Sequence, residues 1–170
     1  YTNGAVVNNS SVVVITDCTF VDNHFTYAGA LNNEYGNVKV SRCSFISNSA
    51  AYYKPEGGTD GRGGAVQNYR GTSEFIDCWF EDNFGAAYGG AIHIDYGATS
   101  TYNNCVFFHN GGSMHGGAIN IARSSVSIRN SAFVGNYTGS FNGYGCGRAV
   151  AVASSSGITV LNTIFRDNYA

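Results

Sequence analysis

Two short motifs alternate from one end of the chain to the other. Phe-x-x-Asn begins at Phe20, Phe45, Phe80, Phe107, Phe133 and Phe165. Gly-Gly-Ala-aliphatic is intact from Gly63, Gly89 and Gly116, and degenerate as Asn3-Gly4-Ala5-Val6, Ala28-Gly29-Ala30-Leu31 and Gly147-Arg148-Ala149-Val150. Alanine to phenylalanine is always 15 or 16 residues, whereas the return from asparagine to the next alanine ranges from 7 to 17. A fixed arm and an elastic arm in every period are what stacked coils produce when their strands are constrained and one corner tolerates insertions.

The register inside each period specifies strands. Five residues before each phenylalanine stand Ile15, Val40, Phe75, Tyr102, Ile128 and Val160; seven before stand Val13, Val38, Ser73, Ser100, Val126 and Ile158. Side chains of one parity that are mostly apolar read as a strand with one buried face. Three before the phenylalanine are Asp17, Arg42, Asp77, Asn104, Asn130 and Asn162, mostly residue types that bend the backbone at a corner. A second strand follows each alanine, as in Ile92-His93-Ile94-Asp95, so each period is expected to hold two or three short strands. Twenty-three glycines with one proline and one methionine suit many turns and give no support to a helical protein.

Stacking such periods at about 4.8 Å per coil lays like residues on one another. The phenylalanines are expected to form an internal column, and Asn23, Asn48, Asn83, Asn110, Asn136 and Asn168 an amide ladder at a corner. Three residues after the alanine, Asn8, Asn33 and Asn68 give way to Ile94, Ile121 and Val152, a polar interior column followed by an apolar one. Cys18, Cys43, Cys78 and Cys105 each lie two residues before a motif phenylalanine, with Ser131 and Thr163 continuing the column. In-register Cβ atoms nearly 5 Å apart suit stacked thiols better than disulfides, which want about 3.8 Å. Cys146 falls outside the column, as a free thiol or an intermolecular link. No CxxC or Cys/His spacing calls for zinc, and neither a metal nor a cofactor is expected.

These paired motifs resemble the right-handed parallel β-helix passengers of chlamydial polymorphic outer-membrane proteins and similar adhesin-like surface proteins. The resemblance spans nearly the whole chain. It implies a single all-β domain over residues 1–170, a right-handed parallel β-helix (solenoid) of about six coils, displayed on a surface or secreted and used in adhesion. The motif residues then serve the fold. The 170 residues include no translocator barrel, a departure from the pattern of that family.

Only 12% of the residues are charged and the net charge is −2, which leaves no basic face for nucleic acid and no polybasic membrane anchor. No apolar run approaches bilayer length, and no segment reads as a signal peptide. Because the chain begins at Tyr1, a targeting segment is expected elsewhere. Few charges with many Ser, Thr, Asn and Tyr side chains fit an extracellular or cell-surface location. Sequons occur at Asn8, Asn9 and Asn136, of which Asn9 is the expected accessible glycosylation site.

The expected role is an adhesive or structural fibre segment, not an enzyme. The alternative is a β-helix that binds or cleaves polysaccharide, since a uronate lyase needs clustered carboxylates and a basic side chain. Arg42 between Asp17 and Asp77, and Lys39 beneath Glu74, read as ion pairs between coils. His93 and Asp95 share the outward side of one strand near Tyr69 and Asn120, a pattern that holds a cation or a sugar but more often is a solvated face. The binding candidates form two groups. Five residues after the alanine, Tyr35, Arg70, Tyr96 and Arg123 alternate ring and cation on a corner. Insertions at the elastic corner bring Tyr52 and Tyr53 in one coil and Tyr137, Phe141 and Tyr144 in another, as aromatic contact loops. Expected partners are host-surface or glycan ligands, and copies of the chain or neighbouring coils meeting end to end.

Overall fold

The computed structural model describes residues 4–53, 59–139, 147–154 and 157–170, without the side chains of residues 52, 53 and 59. Among these, the coils contribute strands to four parallel sheets, one more than the sequence register resolved, with six strands in each of three sheets and five in the fourth, which the last coil meets through a single bridge at Tyr169. The first sheet stacks Val6–Asn9, Leu31–Glu34, Val66–Tyr69, Ile92–Asp95, Ile119–Ala122 and Val150–Ala153. The second stacks Val12–Thr16, Asn37–Ser41, Thr72–Ile76, Thr99–Asn103, Ser125–Arg129 and Gly157–Leu161. The third runs through the phenylalanines, from Thr19–Val21 to Ile164–Arg166. The fourth has strands of two residues, such as Phe84–Gly85, just after the motif asparagines. Two residues are too few to show alternation, which is why this sheet left no periodic signal. The result is a right-handed parallel β-helix of about six coils.

Like residues pair with like residues. Phe80 is in register with Phe45 on one side and Phe107 on the other. Ring centroids along the phenylalanine column lie 4.8, 4.8, 4.7, 4.5 and 4.9 Å apart, with planes within 10° of parallel. Phe45, Phe80, Phe107 and Phe133 are fully buried. This column, with the aliphatic residues of the first two sheets, is the core.

Corners need left-handed backbone, and non-glycine residues supply much of it. Asp17, Arg42, Asp77, Asn104, Asn130 and Asn162 have φ between 49° and 55°. So do Ser10, Tyr35, Arg70, Tyr96, Arg123 and Ser154, between 50° and 60°. Short polar side chains tolerate this region, whereas Tyr and Arg are held in it by their neighbours above and below. The motif glycines divide the work: Gly89 has φ +66°, and a Cβ on Gly90 would collide with the Gly117 carbonyl of the next coil.

The asparagine ladder closes the corner between the third and fourth sheets. Asn83 donates through Nδ2 to Asn110 Oδ1 at 2.9 Å and to the Phe45 carbonyl at 2.9 Å, and its backbone N–H donates to the same Asn110 oxygen at 3.1 Å. The pattern repeats at Asn48, Asn110 and Asn136. Asn136 is thereby fully buried, as is nearly all of Asn8, while Asn9 is exposed. Cys18, Cys43, Cys78 and Cys105 are all free thiols. Only Cys18 is exposed; Ser131 continues the column by accepting the Cys105 N–H at 3.1 Å.

Candidate functional site

In the first sheet, Ile92 and Ile94 point into the core, so His93 and Asp95 point out. They are not solvated. His93 is 3% exposed and Asp95 5%, which overturns the expectation of a solvated face. The cause is a column three residues before each motif alanine: Tyr27, Arg62, Tyr88 and His115. Single bridges link Arg62 to Tyr88 and Tyr88 to His115, and the Tyr88 ring lies 5.6 Å from the His93 ring. This column forms a wall beside the outer face of the sheet.

The opposite wall is the corner column that sequence singled out. Arg123 stands 3.8 Å from the Tyr96 ring centre, and Arg70 lies 5.6, 5.4 and 5.4 Å from the rings of Tyr35, Tyr69 and Tyr96. Arg70 also donates to the Tyr35 hydroxyl at 3.2 Å. The wall before the alanines repeats the alternation. Arg62 lies 5.9 Å from the Tyr27 ring, and Tyr88 stacks on His115 at 5.6 Å. Counting back three residues from each alanine would have found it in the sequence.

Between the walls the floor is a column of Asn32, Gln67, His93 and Asn120, each no more than 5% exposed. A cleft of about 540 Å³ lies over the third to sixth coils, lined by Arg62, Tyr88, His93, Asp95, Tyr96, His115, Asn120 and Arg123 among others. A second hollow of about 280 Å³, lined by Tyr27, Glu34, Arg62, Gln67 and Tyr69, lies over the second and third coils. Arg62 borders both, so the two hollows lie in line along the helix axis and are described together as a groove.

Hydrogen bonding in the floor is incomplete. Asn120 Nδ2 bonds His93 Nδ1 at 3.0 Å, and Asn32 Nδ2 donates to Glu34 Oε1 at 3.2 Å. Asn32 Oδ1, Gln67 Oε1 and His93 Nε2 are buried without a hydrogen-bond partner. His93 Nε2 stands 3.8 Å from Asp95 Oδ2, beyond hydrogen-bond reach. Burial pushes the His93 ring below its ordinary pKa, which outweighs the nearby Asp95 carboxylate and keeps the ring neutral. For Asp95, burial favours the proton. The His93 ring, the Arg123 fork at 3.1 and 3.0 Å and the Tyr96 N–H at 2.7 Å together outweigh it and hold the carboxyl well below the usual range.

The remaining candidates lie elsewhere or are incomplete. Tyr137 belongs to the fourth-sheet strand Tyr137–Thr138 and not to an insertion loop; its ring stacks on Tyr169 at 5.7 Å. Tyr52–Tyr53 pairs antiparallel with Thr59–Asp60, a two-stranded sheet just ahead of Arg62 in the chain. Phe141 and Tyr144, with Cys146, lie outside the described residues. Arg42 holds Asp17 with two bonds of 2.7 and 2.8 Å, while Asp77 accepts from Asn104 at 2.6 Å, so the three do not form a continuous ion ladder. Lys39 meets Glu74 at 3.6 Å across coils. Among the described residues no three His, Cys, Asp or Glu side chains form a metal-holding group.

The family model for a right-handed beta helix region matches residues 1–165. The chain belongs to the right-handed β-helix family. Comparison with curated proteins and with solved structures gives no significant match. The family accounts for the coils, and the groove rests on the residues above.

Proposed function

We propose that the chain is an extracellular adhesive β-helix that binds glycan chains in the groove on its first sheet. One observation carries this reading: three buried polar atoms, on Asn32, Gln67 and His93, lack partners and stand in one axial column between two walls rich in tyrosine. A buried polar atom without a partner costs about 1–3 kcal/mol, which a bound hydroxyl recovers. Sugars also offer apolar ring faces to tyrosine, and an axial groove suits a linear polymer. The resemblance of the repeats to chlamydial surface passengers supports display outside the cell, as does the low charge. Asn9, exposed and followed by Ser10 and Ser11, is the candidate for glycosylation.

Binding without cleavage is the better reading of the basic residues. Arg42 is engaged by Asp17 of the neighbouring coil, at the corner between the second and third sheets, and the exposed Arg70 lies over the rings of three tyrosines. Neither is placed as a free base facing the floor. A glycan array, with a lyase assay alongside, tests the proposal. Retention of at least one polysaccharide, weakened by Tyr88→Ala and Tyr96→Ala, is expected. An empty array from folded protein would sink it, and saturable uronate cleavage abolished by Arg70→Ala would replace it with the lyase reading.

A further inference from the structure

We infer that the groove takes an uncharged, hydroxyl-rich polymer lying along the helix axis and discriminates against uronate, sulfated and phosphorylated chains. This rests on the groove being a glycan site and names the class of glycan. The argument begins with which atoms are left over. Asn32 is oriented by the bond from its Nδ2 to Glu34 Oε1, so the atom left without a partner, beside Gln67 in the floor column, is the carbonyl oxygen Oδ1. Gln67 presents the same kind of atom, Oε1, one coil further along. Carbonyl oxygens only accept hydrogen bonds. The ligand must therefore donate there, and it must do so twice at a spacing of about 4.8 Å. Hydroxyl groups donate. Ionised carboxylates, sulfates and phosphates cannot, and would set lone pairs against lone pairs.

His93 supplies the third position. Asn120 donates to Nδ1 through Nδ2, so Nε2 carries the ring hydrogen and points to an acceptor that the chain does not provide within reach. A hydroxyl or ring oxygen fills that role, and a hydroxyl serves all three floor positions because it both donates and accepts.

Charge in the groove gives a second, independent reason. The cations lining it are Arg62 and Arg123 and the anions lining it are Glu34 and Asp95, with Asp60 and Arg70 beside them. The guanidinium forks suited to an incoming carboxylate are already occupied: Arg62 holds Asp60 at 3.0 and 3.4 Å, and Arg123 holds Asp95 at 3.1 and 3.0 Å. Arg70 is spread over tyrosine rings. With equal numbers of opposite charges and the cations engaged, the groove has no net field to draw a polyanion, and His93 is neutral.

The test immobilises neutral polymers (glucan, galactomannan, xylan) and acidic ones (polygalacturonate, alginate, heparin) and measures binding of the whole chain. Neutral chains should be retained, with affinity changing little between about 50 and about 500 mM NaCl, because screening has no charge pair to weaken. Gln67→Met removes the carbonyl at similar volume and should weaken that binding by about tenfold, with the melting temperature recorded to exclude misfolding. Retention of acidic polymers in preference, lost at high salt, overturns the inference and leaves the glycan site standing. Binding of no polymer overturns the glycan site and the inference together. Unchanged affinity in folded Gln67→Met also overturns it.

Discussion

Asn68 Nδ2 donates to Ser100 Oγ at 2.9 Å, in the interior and across the coil where one internal ladder stops. Asn8 donates to Asn33 Oδ1, and Asn33 to Asn68 Oδ1, each at 2.8 Å. The next residue in that column is Ile94, which accepts nothing. The amide at the end of the ladder is completed by Ser73 and Ser100, whose hydroxyls also bond each other at 2.7 Å. These two serines replace the apolar residues found at the same second-sheet position in the other coils. Ser100→Val should therefore cost about 0.5–1.5 kcal/mol, because it gains apolar burial but removes the shortest of the bonds from Asn68 Nδ2, which keeps Ser73 and the Gly71 and Thr99 carbonyls, and takes the Ser100 hydroxyl from Ser73. Denaturant melts of Ser100→Val, Asn68→Val and the double variant would show it as a favourable coupling: the double variant should be more stable than the two single losses added together.

The corner ladder should be less tolerant. Asn110→Ala removes the acceptor of both Asn83 donors and the donor to the Phe80 carbonyl, for a loss of about 2–4 kcal/mol. Asn110→Asp keeps an acceptor but places a charge in a fully buried chain of amides, and should not rescue it. Equal stability of either variant and the parent, by urea titration, would contradict the ladder.

Phe107→Ala removes one ring from the continuous stack between Phe80 and Phe133 and should cost about 3–5 kcal/mol through the cavity left behind. Tyr96, 39% exposed on the wall of the groove, should cost under about 1 kcal/mol when changed to Ala while weakening glycan binding. Thermal melts and binding curves on the same two proteins separate the structural column from the functional wall.

Thiol chemistry reports the cysteine column. In a Cys146→Ser background, an aromatic disulfide reagent should modify Cys18 rapidly in the native chain and Cys43, Cys78 and Cys105 only on unfolding. Burial raises the Cys43 pKa, which slows it further. Rapid native modification of all four would contradict the stacking.

Acid should destabilise the groove in two windows. Burial lowers the His93 pKa below its ordinary 6.5, so below about that pH the unfolded ring takes up a proton that the folded ring refuses. Stability is fully present above that pH and falls beneath it by at most about 1.4 kcal/mol per pH unit. Asp95 adds a second loss as pH falls through about 3.8, since its folded pKa is depressed and the unfolded chain again binds more protons. His93→Gln should remove the upper window and narrow the lower one, which the Arg123 fork and the Tyr96 N–H then sustain, as read by melting temperature against pH.

Much of this molecule follows from sequence counting alone. The phenylalanine, asparagine and cysteine columns, and the change from Asn68 to Ile94, were legible because a parallel coil places residues of equal phase in contact. Once the period is known, a local offset becomes a tertiary neighbour. Even the left-handed corners at Asp17 or Asn104 follow from residue type at a fixed phase.

The burial of His93 did not follow. Alternation shows that it points away from the core, but whether the outer face is wet depends on the path of the elastic corner, which has no fixed length. Only the folded chain brings Tyr88, three residues before its alanine, against the His93 ring and turns a sheet face into a groove. Phase determined what stacks along the axis. The tertiary structure decided what meets around it, because contacts between corners of a coil depend on backbone path and not on period.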